Sequence, residues 1–358
     1  MRVLFAGGGT GGHIYPALAL ARHLREIDDA QILFAGTQHG MEKDIVPLNG
    51  FPLKIVPVVG LQRKLSLQTG RALFLAAASV ATARRIIKSF KPDIVVGTGG
   101  YVAGPVVLAA KLMGIPTVIH EQNAIPGLTN VILARMAGRV CLSVIESARY
   151  FPNPKKTVLT GNPRASEAVQ ATGEPELPRK LLPGVPLLLC VGGSHGAAKL
   201  NEAFTGSVAS VLSDCDVQIV YVTGKRYFEE IERELAPLQV RFPQRLQVIP
   251  YHPALPQLLH KAKLIVSRAG ATTLAEITAL GVPAVLVPSP NVTNNHQEFN
   301  AKSLSDHGAA VLLRESELGA ERLSGLLTEL LTDGIGCAKW PKIARHWVCQ
   351  MRQSAWLL

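Results

Sequence analysis

The sequence predicts an α/β chain made of two Rossmann-like, parallel-sheet domains in tandem. Aliphatic runs of four to seven residues alternate with helical patterns along all 358 residues, as in repeated βαβ units. Each half opens with an aliphatic strand that runs into a glycine-rich turn, Gly7-Gly8-Gly9-Thr10-Gly11-Gly12 and Gly192-Gly193-Ser194-His195-Gly196. Hydrophobic residues make up 47% and aromatics only 5%, which suits buried aliphatic strands covered by Ala- and Leu-rich helices.

In the first half, strands are expected at 3–6, 32–35, 54–58, 94–96, 117–119 and 140–143. The second half restarts at 187–191 and continues at 218–222, 246–249, 264–267, 284–287 and 310–312. Pro16 suits a first helical turn and should open a helix over 17–24. The domain boundary is expected at Gly161-Asn162-Pro163-Arg164, before a Pro/Glu-rich stretch, giving domains at 1–161 and 162–334. A cleft between two such domains is the default ligand site. The tail, 335–358, holds all three Trp and two of the five Cys. It breaks the preceding pattern, reads as the product of a frameshift, and is expected to pack poorly.

The formal charge is +11, and residues 1–160 carry +10 of it, with 18 Lys or Arg against 8 Asp or Glu. A phosphorylated ligand or an anionic membrane surface accounts for that bias. With no basic run interleaved with aromatics, nucleic acid is not expected as a partner. The five scattered Cys show no C-x-x-C spacing, which favours a reducing cytosol. The uncharged run 72–83 falls short of the ~20 residues that span a bilayer.

Gly7, Gly9 and Gly12 formally satisfy G-x-G-x-x-G, but the second strand ends Leu33-Phe34-Ala35-Gly36-Thr37 with no carboxylate for a ribose. NAD is therefore disfavoured. Free N–H groups at the following helix start favour an anion, and His13 should stand at the carboxyl edge of the first strand. A histidine that only caps its own turn is the alternative. In the second turn, Ser194 can add a hydroxyl donor for a phosphate. Further on, Ser267-Arg268-Ala269-Gly270-Ala271-Thr272-Thr273 again reads strand, small-residue turn, helix. Glu276, one and a half turns into that helix, could accept two hydrogen bonds from a ribose diol or stand as a solvated helix carboxylate.

These strings coincide in order over residues 1 to about 332. They are Gly8-Gly9-Thr10-Gly11-Gly12-His13, Gly99-Gly100-Tyr101-Val102-Ala103-Gly104-Pro105, His120-Glu121-Gln122-Asn123, Gly161-Asn162-Pro163, the Gly192 turn, the Arg268 segment through Glu276, and His296-Gln297 with Asn300-Ala301. With them the sequence resembles the MurG family of peptidoglycan N-acetylglucosaminyltransferases. The resemblance implies a GT-B fold, two Rossmann-like domains facing across a cleft. It implies transfer of GlcNAc from UDP-GlcNAc to the 4-hydroxyl of the MurNAc of lipid I, with inversion, forming lipid II. The implied partners are UDP-GlcNAc, lipid I and the anionic inner-membrane surface, at the cytoplasmic face of the bacterial cell membrane, with no cofactor.

Carried over by position, Ser194 and the helix start Ala271, Thr272, Thr273, Leu274 and Ala275 would meet the diphosphate and sugar. Glu276 would hold the ribose, Gln297 the GlcNAc hydroxyls, and the backbone of His252 the uracil. Thr10, Gly11, Gly12 and Asn123 would close on the donor, and His13, Tyr101, His120 and Glu121 would line the acceptor side. The family pattern Gly-Asn-Pro-x-Arg is broken here, so Arg164 would have to reach the uracil side from one residue earlier.

For the proton acceptor, His13 comes first, because its titration range suits neutral pH, and Glu121 second. Asp214-Cys215-Asp216 resembles a metal-binding D-x-D but precedes a strand, at the wrong sheet edge for a ligand, so no catalytic metal is expected. Arg63-Lys64-Leu65, Arg71-Ala72-Leu73-Phe74-Leu75, Arg84-Arg85 and Lys88 flank an apolar helix, which reads either as a peripheral anchor or as an ordinary core helix. A glycosyltransferase with another lipid acceptor, a UDP-sugar 2-epimerase and a noncatalytic UDP-binding protein remain alternatives.

Overall fold

The computed structural model describes residues 1–58, 69–193 and 196–332, with the backbone alone for 69–75. Ser194, His195, the Arg63-Lys64-Leu65 segment and the tail 335–358 lie outside the described residues, as do the side chains of Arg71 to Leu75. The chain divides into two compact units, Met1–Arg164 and a second beginning at Ala165.

The first unit runs β1 (Arg2–Gly7), α1 (Gly11–Asp28), β2 (Gln31–Gly36), α2 (Glu42–Leu48), β3 (Leu53–Ile55), α3 (Thr69–Phe90) and β4 (Ile94–Gly99). It continues with α4 (Ala103–Leu112), β5 (Thr117–Glu121), α5 (Leu128–Ala134), β6 (Arg139–Leu142) and β7 (Thr157–Leu159). Helix α6 (Pro163–Gln170) crosses the division between the units. The strands form one parallel sheet in the order β3-β2-β1-β4-β5-β6-β7. The order reverses between β1 and β4, and a ligand of an open α/β sheet sits outside the carboxyl ends at such a point.

The second unit repeats the design with β8 (Leu187–Val191), α7 (Ala198–Asp214), β9 (Gln218–Val222), α8 (Phe228–Arg241), β10 (Leu246–Ile249) and α9 (Leu255–Lys261). Then come β11 (Ala262–Ser267), α10 (Ala271–Leu280), β12 (Ala284–Leu286), α11 (His296–Ser305), β13 (Val311–Leu312) and α12 (Ala320–Thr332). Its parallel sheet has the order β10-β9-β8-β11-β12-β13, with the reversal between β8 and β11.

Both sheets are covered on both faces, because successive side chains of a strand point opposite ways. Val3 and Phe5 of β1 enter one apolar cluster, Leu4 and Ala6 another. In β8, Leu188 and Cys190 enter one, and Leu187, Leu189 and Val191 the other. This two-sided burial explains why the central strands read as continuous aliphatic runs.

Every expected strand is present, with small shifts at the edges. The third covers Leu53–Ile55 rather than 54–58. Strand β7 was not expected: three residues after Lys155-Lys156 are too short to show periodicity. Helix α1 begins at Gly11, five residues before Pro16, so His13 lies within its first turn and not ahead of it. Asp214-Cys215-Asp216 joins the end of α7 to β9, at the amino edge of the second sheet.

Candidate active site

In the first unit, the carboxyl ends of β1 and β4 carry the Gly7–Gly12 turn and the Gly99-Gly100-Tyr101 turn side by side. The His13 ring turns back over its own glycine turn, with Nδ1 2.9 Å from the Gly8 carbonyl oxygen and 3.3 Å from Thr10 Oγ1. A carbonyl oxygen can only accept, so the ring proton sits on Nδ1 and the lone pair on Nε2. The Nε2 edge lies against Gly99: a Cβ there would stand 2.9 Å from Nε2 and 2.7 Å from Cδ2. Gly99 has φ +109°, so glycine meets both the backbone and the packing demand. Tyr101, next on the turn, is exposed.

Glu121 and His120 stand at the end of β5. Glu121 is buried; Oε1 accepts from the Asn123 backbone N–H (2.9 Å) and Nδ2 (3.1 Å), and Oε2 from the Gly127 N–H (3.1 Å) and Asn130 Nδ2 (2.8 Å). Four donors fill the lone-pair sites of a carboxylate, leaving none directed at a substrate proton. The same contacts hold the amide of Asn123.

His120 is 1% exposed. Its Nε2 faces the Gly161 carbonyl at 3.1 Å and Ser143 Oγ at 3.1 Å, and its Nδ1 faces Gln122 Nε2 at 3.2 Å. Burial pulls its pKa down to about 4, so the ring is neutral at physiological pH. Arg164 stacks over the Tyr15 ring of α1, 5.6 Å from its centroid. Both residues of this contact belong to the first unit.

In the second unit, β11 ends at Ser267 and the chain enters α10 through Arg268-Ala269-Gly270. Leu274 N–H bonds to Gly270 O at 3.0 Å, so the helix-start donors are the amides of Ala271, Thr272 and Thr273. The Thr272 hydroxyl oxygen is buried without a hydrogen-bond partner. The Leu274 side chain belongs to the apolar core, and its N–H is used within the helix.

The entry to α10 is braced from three sides. Arg268 pairs with Glu315 through both nitrogens (3.3 and 3.4 Å) and donates to the Val287 and Pro288 carbonyls. Asn300 Nδ2 donates to Ala269 O. Gln297 Oε1 accepts from Ser289 N–H at 2.9 Å, which turns the two N–H donors of its amide away from the backbone contact. Glu276 and His252 are both buried, 3% and 5% exposed, and burial lowers the His252 pKa.

Sequence reasoning missed Glu42, the first residue of α2. It is fully buried and reaches back to the glycine turn, where Oε2 accepts the Gly9 N–H at 2.9 Å. Oε1 accepts the Thr37 N–H (2.7 Å) and Oγ1–H (2.6 Å). A carboxylate does stand beyond β2, then, but it is spent inside the protein. The only sequence signal was an acidic residue among small ones, Gly36, Gly40 and Glu42.

Residues 3–142 match the glycosyltransferase family 28 N-terminal domain, and residues 187–335 its C-terminal domain. The chain belongs to glycosyltransferase family 28. This family 28 chain is 45% identical over 333 residues to the UDP-N-acetylglucosamine--N-acetylmuramyl-(pentapeptide) pyrophosphoryl-undecaprenol N-acetylglucosamine transferase of Thermoanaerobacter sp. (strain X514), covering 92% of this chain and 91% of that one. It is 46% identical over 329 residues to the transferase of the same name from Halalkalibacterium halodurans, covering 90% and 88%. The crystal structure of Acinetobacter baumannii MurG superposes with a TM-score of 0.71 at 34% identity, covering 99% of this chain and 95% of that one. A UDP-N-acetylglucosamine 2-epimerase superposes with a TM-score of 0.64 at 15% identity over 96% and 90% of the two chains, a likeness of fold alone. The architecture of the family 28 chain is therefore GT-B, with two parallel-sheet Rossmann-like domains.

Proposed function

We propose that this chain transfers N-acetylglucosamine from UDP-GlcNAc to the 4-hydroxyl of the muramyl sugar of lipid I, inverting the anomeric centre and producing lipid II. One observation carries the reading. Each sheet ends, at its reversal point, in a family 28 glycine or small-residue turn with the chemistry for one half of the reaction.

The second unit supplies the donor half. As the bond to UDP stretches, negative charge grows on the leaving diphosphate. The open amides of Ala271, Thr272 and Thr273, at the positive end of α10, lie where such charge is stabilised. Glu276 is assigned to the ribose hydroxyls and the Gln297 amide to the sugar hydroxyls. Ser194 and the backbone of His252 keep their assignments to the diphosphate and the uracil.

The first unit supplies the acceptor half. His13, with its proton on Nδ1 and its lone pair on Nε2, takes the proton of the attacking hydroxyl. Glu121, saturated by four donors, is assigned to holding the loop that carries Asn123. Thr10, Gly11 and Gly12 close on the donor sugar, and exposed Tyr101 lines the acceptor side.

The enzyme is assigned to an anionic membrane surface. On α3, exposed Arg84, Arg85 and Lys88 continue a stripe from Ala77, Val80 and Ala81, and together these six line one groove. No described helix is long and apolar enough to cross a membrane. Incubation with radiolabelled UDP-GlcNAc and a lipid I analogue tests the reading: labelled disaccharide lipid and UDP should appear together. Free UDP-ManNAc formed without acceptor would overturn it.

A further inference from the structure

We propose that Glu42 is the orienting carboxylate of His13, acting across one intervening peptide group. The Gly8 carbonyl that accepts from His13 Nδ1 (2.9 Å) and the Gly9 N–H that donates to Glu42 Oε2 (2.9 Å) are the two ends of a single peptide bond. The chain of contacts is carboxylate, peptide N–H, peptide C=O, imidazole N–H. Each hydrogen bond in such a series polarises the next, so a carboxylate on the N–H makes the Gly8 oxygen a stronger acceptor. A stronger acceptor holds the ring proton on Nδ1, keeps the lone pair on Nε2, and favours the imidazolium that forms when Nε2 takes a proton.

Glu42 is built for this place. A Cβ on Gly8, Gly36 or Gly40 would fall 2.1–2.5 Å from its side chain, so three missing side chains make its pocket. Thr37 holds Oε1 with two donors, which leaves Oε2 aimed at the turn. The amide that could otherwise greet a ligand phosphate is also taken. The first glycine turn therefore carries its own anion and orients a base, while the second unit is left to bind nucleotide.

The inference rests on His13 being the proton acceptor, and the experiment separates the two. In Glu42→Gln the amide keeps its oxygen toward the two Thr37 donors and sets an NH2 against the Gly9 N–H. This should lower kcat on the order of 10- to 100-fold, as loss of a partner that orients a functional histidine generally does. The KM for UDP-GlcNAc should stay within about twofold, because the groups assigned to its nucleotide all belong to the second unit. With the carboxylate gone the imidazolium loses support, so the acid limb of the kcat profile should move down by about half a pH unit.

In Glu42→Ala, added formate should restore part of the lost kcat, whereas His13→Ala should lose kcat without formate rescue. Nitrogen-15 histidine spectra, assigned by difference with His13→Ala, should show His13 as the Nδ1–H tautomer in the wild type and a mixed tautomer in Glu42→Gln. A wild-type kcat or an unmoved acid limb in Glu42→Gln, with His13→Ala inactive, would sink the Glu42 role alone. Wild-type activity in His13→Ala would remove the base assignment and this inference with it. One check needs no Glu42 variant: His13 found as the Nε2–H tautomer in the wild-type protein overturns the inference even if Glu42→Gln does not fold.

Discussion

His13, in the first turn of α1, and His120, near the end of β5, are in opposite tautomers, set by different surroundings. His13 is half-buried and donates from Nδ1 to the Gly8 carbonyl. Replacing it by Ala should cost kcat on the order of 10²- to 10⁴-fold, the usual worth of a positioned general base, in an assay of UDP release with a lipid I analogue. His120 donates from Nε2 to the Gly161 carbonyl and is sealed from water, which lowers its pKa to about 4. In the unfolded chain it titrates near 6.5, so as pH falls from 6.5 toward 4 the unfolded state takes up a proton that the folded state refuses. Stability present above 6.5 is lost across that window, by about 3 kcal/mol at its lower end. Denaturant melts of His120→Gln should show a flatter pH dependence between 4 and 6.5 than the wild type.

Glu42 titrates in the same direction with a different cause. Burial alone pushes its pKa up, but hydrogen bonds from the Thr37 hydroxyl and the Gly9 and Thr37 amides outweigh that and bring it below the ordinary carboxylate value. Its contribution to stability is present above that ordinary value and disappears as pH falls through the lowered one. At the scale of elements, the glycine turns after β1 and β4 behave as one unit, because each occupies space the other lacks. Gly99 faces the His13 ring, and a Cβ on Gly100, at φ +78°, would stand 2.4 Å from Gly8 O. Gly99→Ala should displace the imidazole and cost about 1–3 kcal/mol of stability through its left-handed backbone. Activity measured at a temperature where the variant is folded should still fall, since the imidazole has moved. On the donor side, α10 owes its open amides to the turn before it. That turn is fixed by Arg268 with Glu315, and by Asn300 on the Ala269 carbonyl.

Over the whole molecule, charge follows the division of labour: residues 1–160 carry +10 of the net +11. Part of this charge stands in the exposed Arg84, Arg85 and Lys88 of α3. Reversing two of these charges, in Arg84→Glu with Arg85→Glu, should reduce sedimentation with phosphatidylglycerol vesicles several-fold, at about 1 kcal/mol per basic residue lost from the surface. Turnover of a short-chain, detergent-free acceptor analogue should be unchanged, and loss of both together would point to misfolding. The sequence by itself determined the two parallel sheets, twelve of their thirteen strands, and the glycine turns at their reversal points. Those features are local: continuous aliphatic runs and missing side chains register within a few residues of chain. The tertiary structure alone decided which partners the polar groups meet. The sequence named Glu121 and His120 but not their partners Asn130, Gly127 and Gly161. Glu42 did not read as a site residue until folding brought it 33 positions back along the chain to Gly9. A carboxylate's role depends on which donors surround it, and those donors come from segments that only the fold brings together.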